Sequence, residues 1–574
     1  MKIIYVLLIA LVCYSLPFFF TDEVISPDDL VYDFFSSHLA ETGKIGYRPP
    51  GDAIFGREGF TPRYFVYNSS GETFPRKFPG FIIFWAGLKR ILPAEASRLV
   101  NPICAVFALW LLFLIGKAVF PGFSTPIRAA ILLATTPVFI RRTFAYNPTL
   151  FNLAVFLAAL YFLIRLIQSR RLYFYCAFGV FAGAMIWIRP TNIVYLAAFA
   201  IMIFIERKKV IGKRLIILVI LIVLFGGGLL LYNHVSYGSF FNLGYTADQE
   251  PVETSVSTKV PLNIRMIIDY LNFHPGIWMM HIKNAPLAFT LAFPLLILSL
   301  IGFVIPRRSK PTDMVLFSDE GTHDEADSAI EKDIPPRLGG SIPIRFNLYY
   351  FWLFFISIVF FSNFATYGHE KGELILHSSY LRYLMPTLCL LPLFAARALE
   401  HFTFPPIRLM TVLAGFNLIV ALVGPGGSVE TIMQSRYYRQ CRSFLLDKTD
   451  KKTVIFTYYW DKLVFPERMV YTHGTQTPST EIGDLIRLVE EKGYRVAYPF
   501  NPCDSIIGDV IRKDYRVKEI TGPNNLSHLT RRAADFIPGD LYPVRLYQVV
   551  GRKAGSIRAN NPSDLFDQSD LSDQ

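Results

Sequence analysis

The feature that most constrains this chain is a series of apolar segments of membrane-spanning length, separated mostly by short polar connections. A bilayer core takes about 20 mostly apolar residues per helix, and it offers exposed backbone groups no partner, so such segments are expected to be α-helices. The first runs from Ile3 to Phe20, carries no charge and follows Lys2. It ends in Pro17-Phe18-Phe19-Phe20 without the small-residue site of a cleaved signal peptide, so it reads as a retained helix. Ten more follow at about 97–117, 127–141, 147–168, 173–188, 191–205, 214–233, 286–305, 347–364, 384–399 and 409–424. Composition agrees, with 52% of the 574 residues hydrophobic and 18% charged, where a soluble chain averages about 25% charged. A disordered, fibrous or disulfide-stapled chain is excluded. The expected fold class is an α-helical polytopic membrane protein of about 11 spans.

An odd number of spans puts the termini on opposite sides. Short loops expected inside hold Arg165, Arg170 and Arg171, then Arg207, Lys208, Lys209, Lys213 and Arg214, then Arg307, Arg308 and Lys310. That is the basic bias of cytoplasmic loops. The excess of 57 basic over 45 acidic residues is largely this anchoring, and no nucleic-acid partner is implied. The inner loop at 306–346 carries an acidic stretch from Asp319 to Asp333 that reads as disordered. The amino terminus is expected in the cytoplasm, with the loops at 21–96 and 234–285 and everything from about 425 outside. The expected organisation is a transmembrane module over 1–424, an outer α/β domain over 425–555 and a disordered tail over 556–574.

Unusual polar residues gather on the expected outer side. Asp22 and Glu23 stand at the carboxyl end of the first helix, where the dipole disfavours negative charge, so they call for a cationic partner or a ligand. Ser26 can cap a helix starting at Pro27, with Asp29 at its third position and Gly43 ending it. Asp28 and Asp29 are thereby accounted for as helix-end acids, and Leu30, Val31, Phe34, Phe35 and Leu39 form a stripe suited to lying along a membrane. Arg76 and Lys77 lead into an aromatic helix, in reach of a lipid phosphate or serving as interfacial anchors. Arg189 and Arg382 fall at the outer ends of spans, where a guanidinium is costly unless it snorkels or meets an anion. Arg98, Arg141 and Arg142 are further candidates, and Tyr237, Gly244 and Tyr245 either shape a groove or form a turn.

From about Pro425 the composition turns polar. The segment 452–460 reads as a strand, Glu481 to Lys492 as a helix closed by Gly493, 494–498 as a strand, 503–513 as a helix and Tyr542 to Val550 as a strand. The six cysteines show no metal-like spacing, and Cys441 and Cys503 both fall outside, where a disulfide can form.

An uncharged first helix, the Asp22-Glu23 pair after it, "RKFPGFIIFWAGLKRIL", "SRLVNPICAVFALWLLFLIGKAVF", "GAMIWIRPTNIVYLAAF" and "SSYLRYLMPTLCLLPLF" occur in this order. The set, over about residues 1–425, resembles the GT-C class of membrane glycosyltransferases, in particular protein O-mannosyltransferases and aminoarabinose transferases. The resemblance implies a polyprenyl-phosphate sugar as donor and a protein, lipid or glycan acceptor on the outer face. It also implies Asp22 as general base with Glu23 in support, a single base that would invert the anomeric centre. Arg189, Arg382, Lys77 and Arg76 would hold the donor phosphate, and Asn147, Tyr237 and Tyr245 would touch sugar or acceptor. Asn147 stands where family members often carry an acid; an amide is a poor metal ligand, so the resemblance leaves a divalent metal in doubt and fixes no cofactor. The alternative is a transporter or flippase for a lipid-linked glycan. It would require an inverted repeat and charged or broken helices near the midplane, neither of which the sequence displays.

Overall fold

The computed structural model describes residues 2–19, 26–56, 59–120, 124–210, 212, 214–242, 244, 295–304, 342–361, 379–402, 406–424, 427–457, 460–472, 479–500, 511–512, 515–521 and 545–553. Among them, four stretches can cross a membrane by length and composition: Val100–Val119, Thr149–Ser169, Leu215–Tyr237 and one that begins at Ile407. Shorter apolar helices cover Ile3–Phe18, Leu172–Ile188, Pro190–Ile205 and Phe346–Phe361.

Two expected spans are interrupted. The segment at 127–141 divides into Ser124–Thr135 and Pro137–Thr143, because Pro137 lacks an N–H and forces Thr136 into an extended conformation (φ −63°, ψ 126°). The segment at 384–399 divides into Ser379–Leu388 and Leu391–Leu399, with Pro392 near the start of the second piece. Helical periodicity alone carried both predicted runs across these prolines.

The first connection is built by local chemistry. Ser26 caps Pro27–Thr42 by accepting the Asp29 N–H at 3.2 Å, and Gly43 ends that helix at φ 73°, a conformation a side chain would resist. The helix does not lie on a membrane as its stripe suggests. Phe35 is wholly buried, and its ring lies 4.6 Å from Phe65, while Tyr32 packs on Phe81 and Phe34 on Phe465. These aromatic partners come from later in the chain and supply the apolar surface that lipid was expected to supply. Strands β1 (Phe65–Tyr67) and β2 (Thr73–Pro75) then pair antiparallel, with Val66 opposite Phe74. Arg76 and Lys77 leave β2 and enter the Pro79–Ile91 helix.

Beyond the Ser428–Lys448 helix lies a five-stranded sheet. It comprises β3 (Thr453–Thr457), β4 (Met469–Thr472), β5 (Arg495–Phe500), β6 (Tyr515–Thr521) and β7 (Arg545–Arg552) in the order β4-β3-β5-β7-β6. The pairs β3–β4 and β3–β5 are parallel, whereas β7 runs antiparallel to both β5 and β6. The helix Ser479–Glu491, followed by Gly493 at φ 74°, packs Ile482, Leu485, Ile486 and Val489 onto the sheet. Phe55 and Phe60 of the first connection belong to the same core, so the sheet and that connection share their apolar interior. Cys441 is buried with its thiol free, and Cys503 lies outside the described residues.

Candidate functional site

Lys77, Arg382 and Arg189, singled out above, converge at one end of the helices. Lys77 is 4% exposed, and its Nζ lies 2.8 Å from Asp28 Oδ1 and 4.5 Å from the centre of the Tyr64 ring. A buried ammonium is tolerable only with such partners. Arg382, on Ser379–Leu388, reaches the other Asp28 oxygen at 3.8 Å. Arg189 caps Leu172–Ile188, donates to Thr149 Oγ1 at 3.4 Å and lies 5.3 Å from the Tyr383 ring centre. Its charge is felt at Asp28 as well. Arg142, buried on Pro137–Thr143, feels the charges of Arg382, Arg141 and Arg189, while Arg141 feels those of Asp29 and Glu430. Several cations and the acids Asp28 and Asp29 therefore meet in a poorly solvated place.

The two neighbouring acids are driven apart by their surroundings. Burial favours the neutral form of Asp28, but Lys77 and Arg382 more than offset this and hold its carboxyl below the usual range. Asp29 is 3% exposed, and burial first, with the neighbouring Asp28 charge, pushes its carboxyl up to about 6.

Several buried groups set these positions. A Cβ on Gly80 would stand 2.7 Å from the Trp187 carbonyl carbon, so glycine lets the helix that follows Lys77 press against the backbone just before Arg189. Asn192 and Asn152 exchange side-chain hydrogen bonds, one of them at 2.6 Å, and Asn192 also donates to the Met185 carbonyl at 2.7 Å; together they fix the turn after Arg189. Tyr195 donates its hydroxyl to the Tyr383 carbonyl, tying down the helix of Arg382. Tyr237 donates to the Pro75 carbonyl at 2.7 Å, directly before Arg76 and Lys77. A Cβ on Gly244 would come within 3.0 Å of the Arg76 backbone. Asn147 Oδ1 accepts the Thr149 N–H at 3.1 Å, and its carbonyl accepts from Asn101 at 3.2 Å, so it serves the start of the Thr149–Ser169 helix.

Arg189, Arg382 and Lys77 are thus brought together, while Tyr237 and Asn147 are committed to backbone groups around them. Asp22, Glu23 and Tyr245 lie outside the described residues. Sequence reasoning passed over Asp28, whose helix-end position explained it too readily, and it passed over Asn152 and Asn192. The isolated buried amides in apolar helices were the available signal for the latter two. Among the described residues, no group of three or more His, Cys, Asp or Glu side chains could hold a metal ion.

Comparison with known proteins follows this geometry. The chain matches ArnT from Cupriavidus metallidurans bound to undecaprenyl phosphate at 10% identity and TM-score 0.55, over 95% of this chain and 97% of that one. The apo state of the same ArnT matches at 10% identity and TM-score 0.52 over the same shares. The Archaeoglobus fulgidus oligosaccharyltransferase in the apo form aligns at 12% identity and TM-score 0.48, over 87% of this chain and 69% of that one. No curated protein matches by sequence. At this identity the likeness to ArnT is one of fold. More narrowly, residues 90–227 match the family described as dolichyl-phosphate-mannose-protein mannosyltransferase.

Proposed function

We propose that the protein moves a sugar from a polyprenyl-phosphate donor to a protein, lipid or glycan acceptor on the extracytoplasmic side. The observation that carries this reading is the meeting of Lys77, Arg382 and Arg189 around one carboxylate, with Arg142 behind them. Cations held by a scaffold need no reorganisation when phosphate charge develops, and this is the largest single aid to such a departure. The solved ArnT complex with undecaprenyl phosphate supports the same class of donor.

In the proposed step an acceptor oxygen attacks the anomeric carbon as the carbon–oxygen bond to phosphate breaks. The electron pair of that bond leaves on the polyprenyl phosphate, and the acceptor proton passes to a carboxylate. We assign the base to Asp22, with Glu23 in support, and the inverting outcome follows from a single displacement. Lys77, Arg382 and Arg189 receive the leaving phosphate, with Arg76 at its edge. Asn147, Tyr237 and Tyr245 are assigned as contacts to sugar or acceptor, the first two held by their bonds to Thr149 and to Pro75.

The test is transfer by purified protein supplied with polyprenyl-phosphate sugars and candidate acceptors. Asp22→Asn and Arg189→Ala should each abolish transfer while the protein stays folded. Full activity in the Asp22 variant would sink the assignment of the base.

A further inference from the structure

The five-stranded sheet touches the first connection through the turn at 61–64, and two hydrogen bonds grip that turn. Thr472, at the end of β4, donates its hydroxyl to the Thr61 carbonyl at 2.8 Å. Asp461, just beyond β3, accepts the Arg63 backbone N–H on Oδ2 at 2.9 Å and is 1% exposed. The next residue is Tyr64. Its carbonyl accepts the Arg76 N–H at 2.8 Å, and its ring lies 4.5 Å from the Lys77 ammonium. Lys77 in turn holds Asp28. A carboxylate in the C-terminal region is therefore linked to the cation cluster through a short run of backbone and one aromatic face.

We propose that Asp461 is a positioning residue: by gripping the Arg63 N–H it sets the Tyr64 ring against Lys77, so that the C-terminal sheet fixes the cluster's geometry from outside it. The consequence for donor binding rests on the phosphate-site reading above; the hold on Lys77 does not. Burial pushes the Asp461 carboxyl up, against the pull of Arg63 and Lys462. An acceptor oxygen at that place is what the Arg63 N–H requires. Asparagine supplies one and alanine does not.

The experiment uses the full-length protein in detergent and the variants Asp461→Asn, Asp461→Ala, Thr472→Val and Tyr64→Leu. The first readout is the rate at which an acetylating reagent labels Lys77, followed by peptide mass spectrometry with Lys89 as internal reference. The second is KM and kcat for a polyprenyl-phosphate sugar. Asp461→Ala and Tyr64→Leu should label Lys77 about tenfold faster than wild type, and each should raise KM about fivefold with little change in kcat. Asp461→Asn should restore wild-type values in both readouts. The Asp461→Ala/Tyr64→Leu double variant should be no worse than either single one, as expected of residues acting in series. If Asp461→Ala fails to fold, Thr472→Val, which loosens the same turn, should give a smaller rise in Lys77 labelling. Wild-type labelling of Lys77 in the Asp461→Ala and Thr472→Val proteins overturns the proposal, as does an Asparagine variant that behaves like alanine. Equal acceleration at Lys89 also overturns it, since that signals general loosening. Absence of donor binding by the wild-type protein would instead refute the phosphate-site reading, with the labelling result still deciding this one.

Discussion

At one end of the helices Arg170 and Lys208 are exposed, and Arg170 reaches the Lys208 carbonyl at 3.3 Å. At the other end Lys77 is buried against Asp28 at 2.8 Å, with Arg382 on the second oxygen of the same carboxylate. The residue types are alike and the solvation is opposite. Exposed cations are solvated by water and contribute little to stability, so they are free to act as anchors. Buried cations must be compensated, and removing one partner of such a pair is expensive. Cations held in so poorly solvated a place are suited to stabilising a lipid phosphate as its charge develops.

The comparison is broken most severely by removing the acid. Asp28→Ala should destabilise the folded protein by about 3–5 kcal/mol, since Lys77 and Arg382 each lose a buried partner. Added undecaprenyl phosphate should then raise Tm more in this variant than in wild type, because it restores a negative charge only to the folded state. An equal rise in both proteins would count against an anion site at this place.

The second effect is on pH dependence. Asp29 has its carboxyl raised from 3.8 to about 6, so the folded state binds the proton more tightly than the unfolded one. Stability should therefore fall as pH climbs from about 4 to about 6 and level off above, by on the order of 2 kcal/mol. Asp28 works in the opposite sense: its contribution is present above the usual carboxylate range and is lost only as pH drops through its lowered value. Tm followed from pH 4 to 8 should show the decline in wild type and lose it in Asp29→Asn.

A smaller effect is expected from crowding. Gly80→Ala should cost about 1–3 kcal/mol and slow transfer, because the helix that follows Lys77 must withdraw from the backbone before Arg189. Chemical denaturation and a transfer assay check the two parts. Smallest of all, Arg170→Gln at the opposite end should change stability by less than about 1 kcal/mol and leave transfer unaltered. A large loss of transfer there would erase the contrast between the ends.

What could be read from the sequence follows the range of the forces involved. Ser26, Pro27 and Gly43 act within one helix, and the helix they predict is the one observed. The strands at 453–457 and 495–500 and the helix between them were likewise legible from alternation, periodicity and the closing Gly493. The antiparallel insertion of β7 between β5 and β6 was not, because pairing partners are set by packing. The same limit applies to the site. Arg189 and Arg382 stood out as cations at costly positions and Lys77 as one in reach of a lipid phosphate, but Asp28, which they surround, already had a sufficient local explanation. The apolar stripe of its helix misled for the same reason: whether Phe35 faces lipid or Phe65 depends on where the rest of the chain goes.

The central claim is that the buried cations receive a lipid phosphate, and equilibrium binding of undecaprenyl phosphate to detergent-solubilised protein tests it most directly. Wild-type protein should bind, and Arg189→Ala/Arg382→Ala should weaken binding by at least about tenfold, consistent with the loss of charge-assisted contacts. Undiminished binding in the double variant would contradict the account.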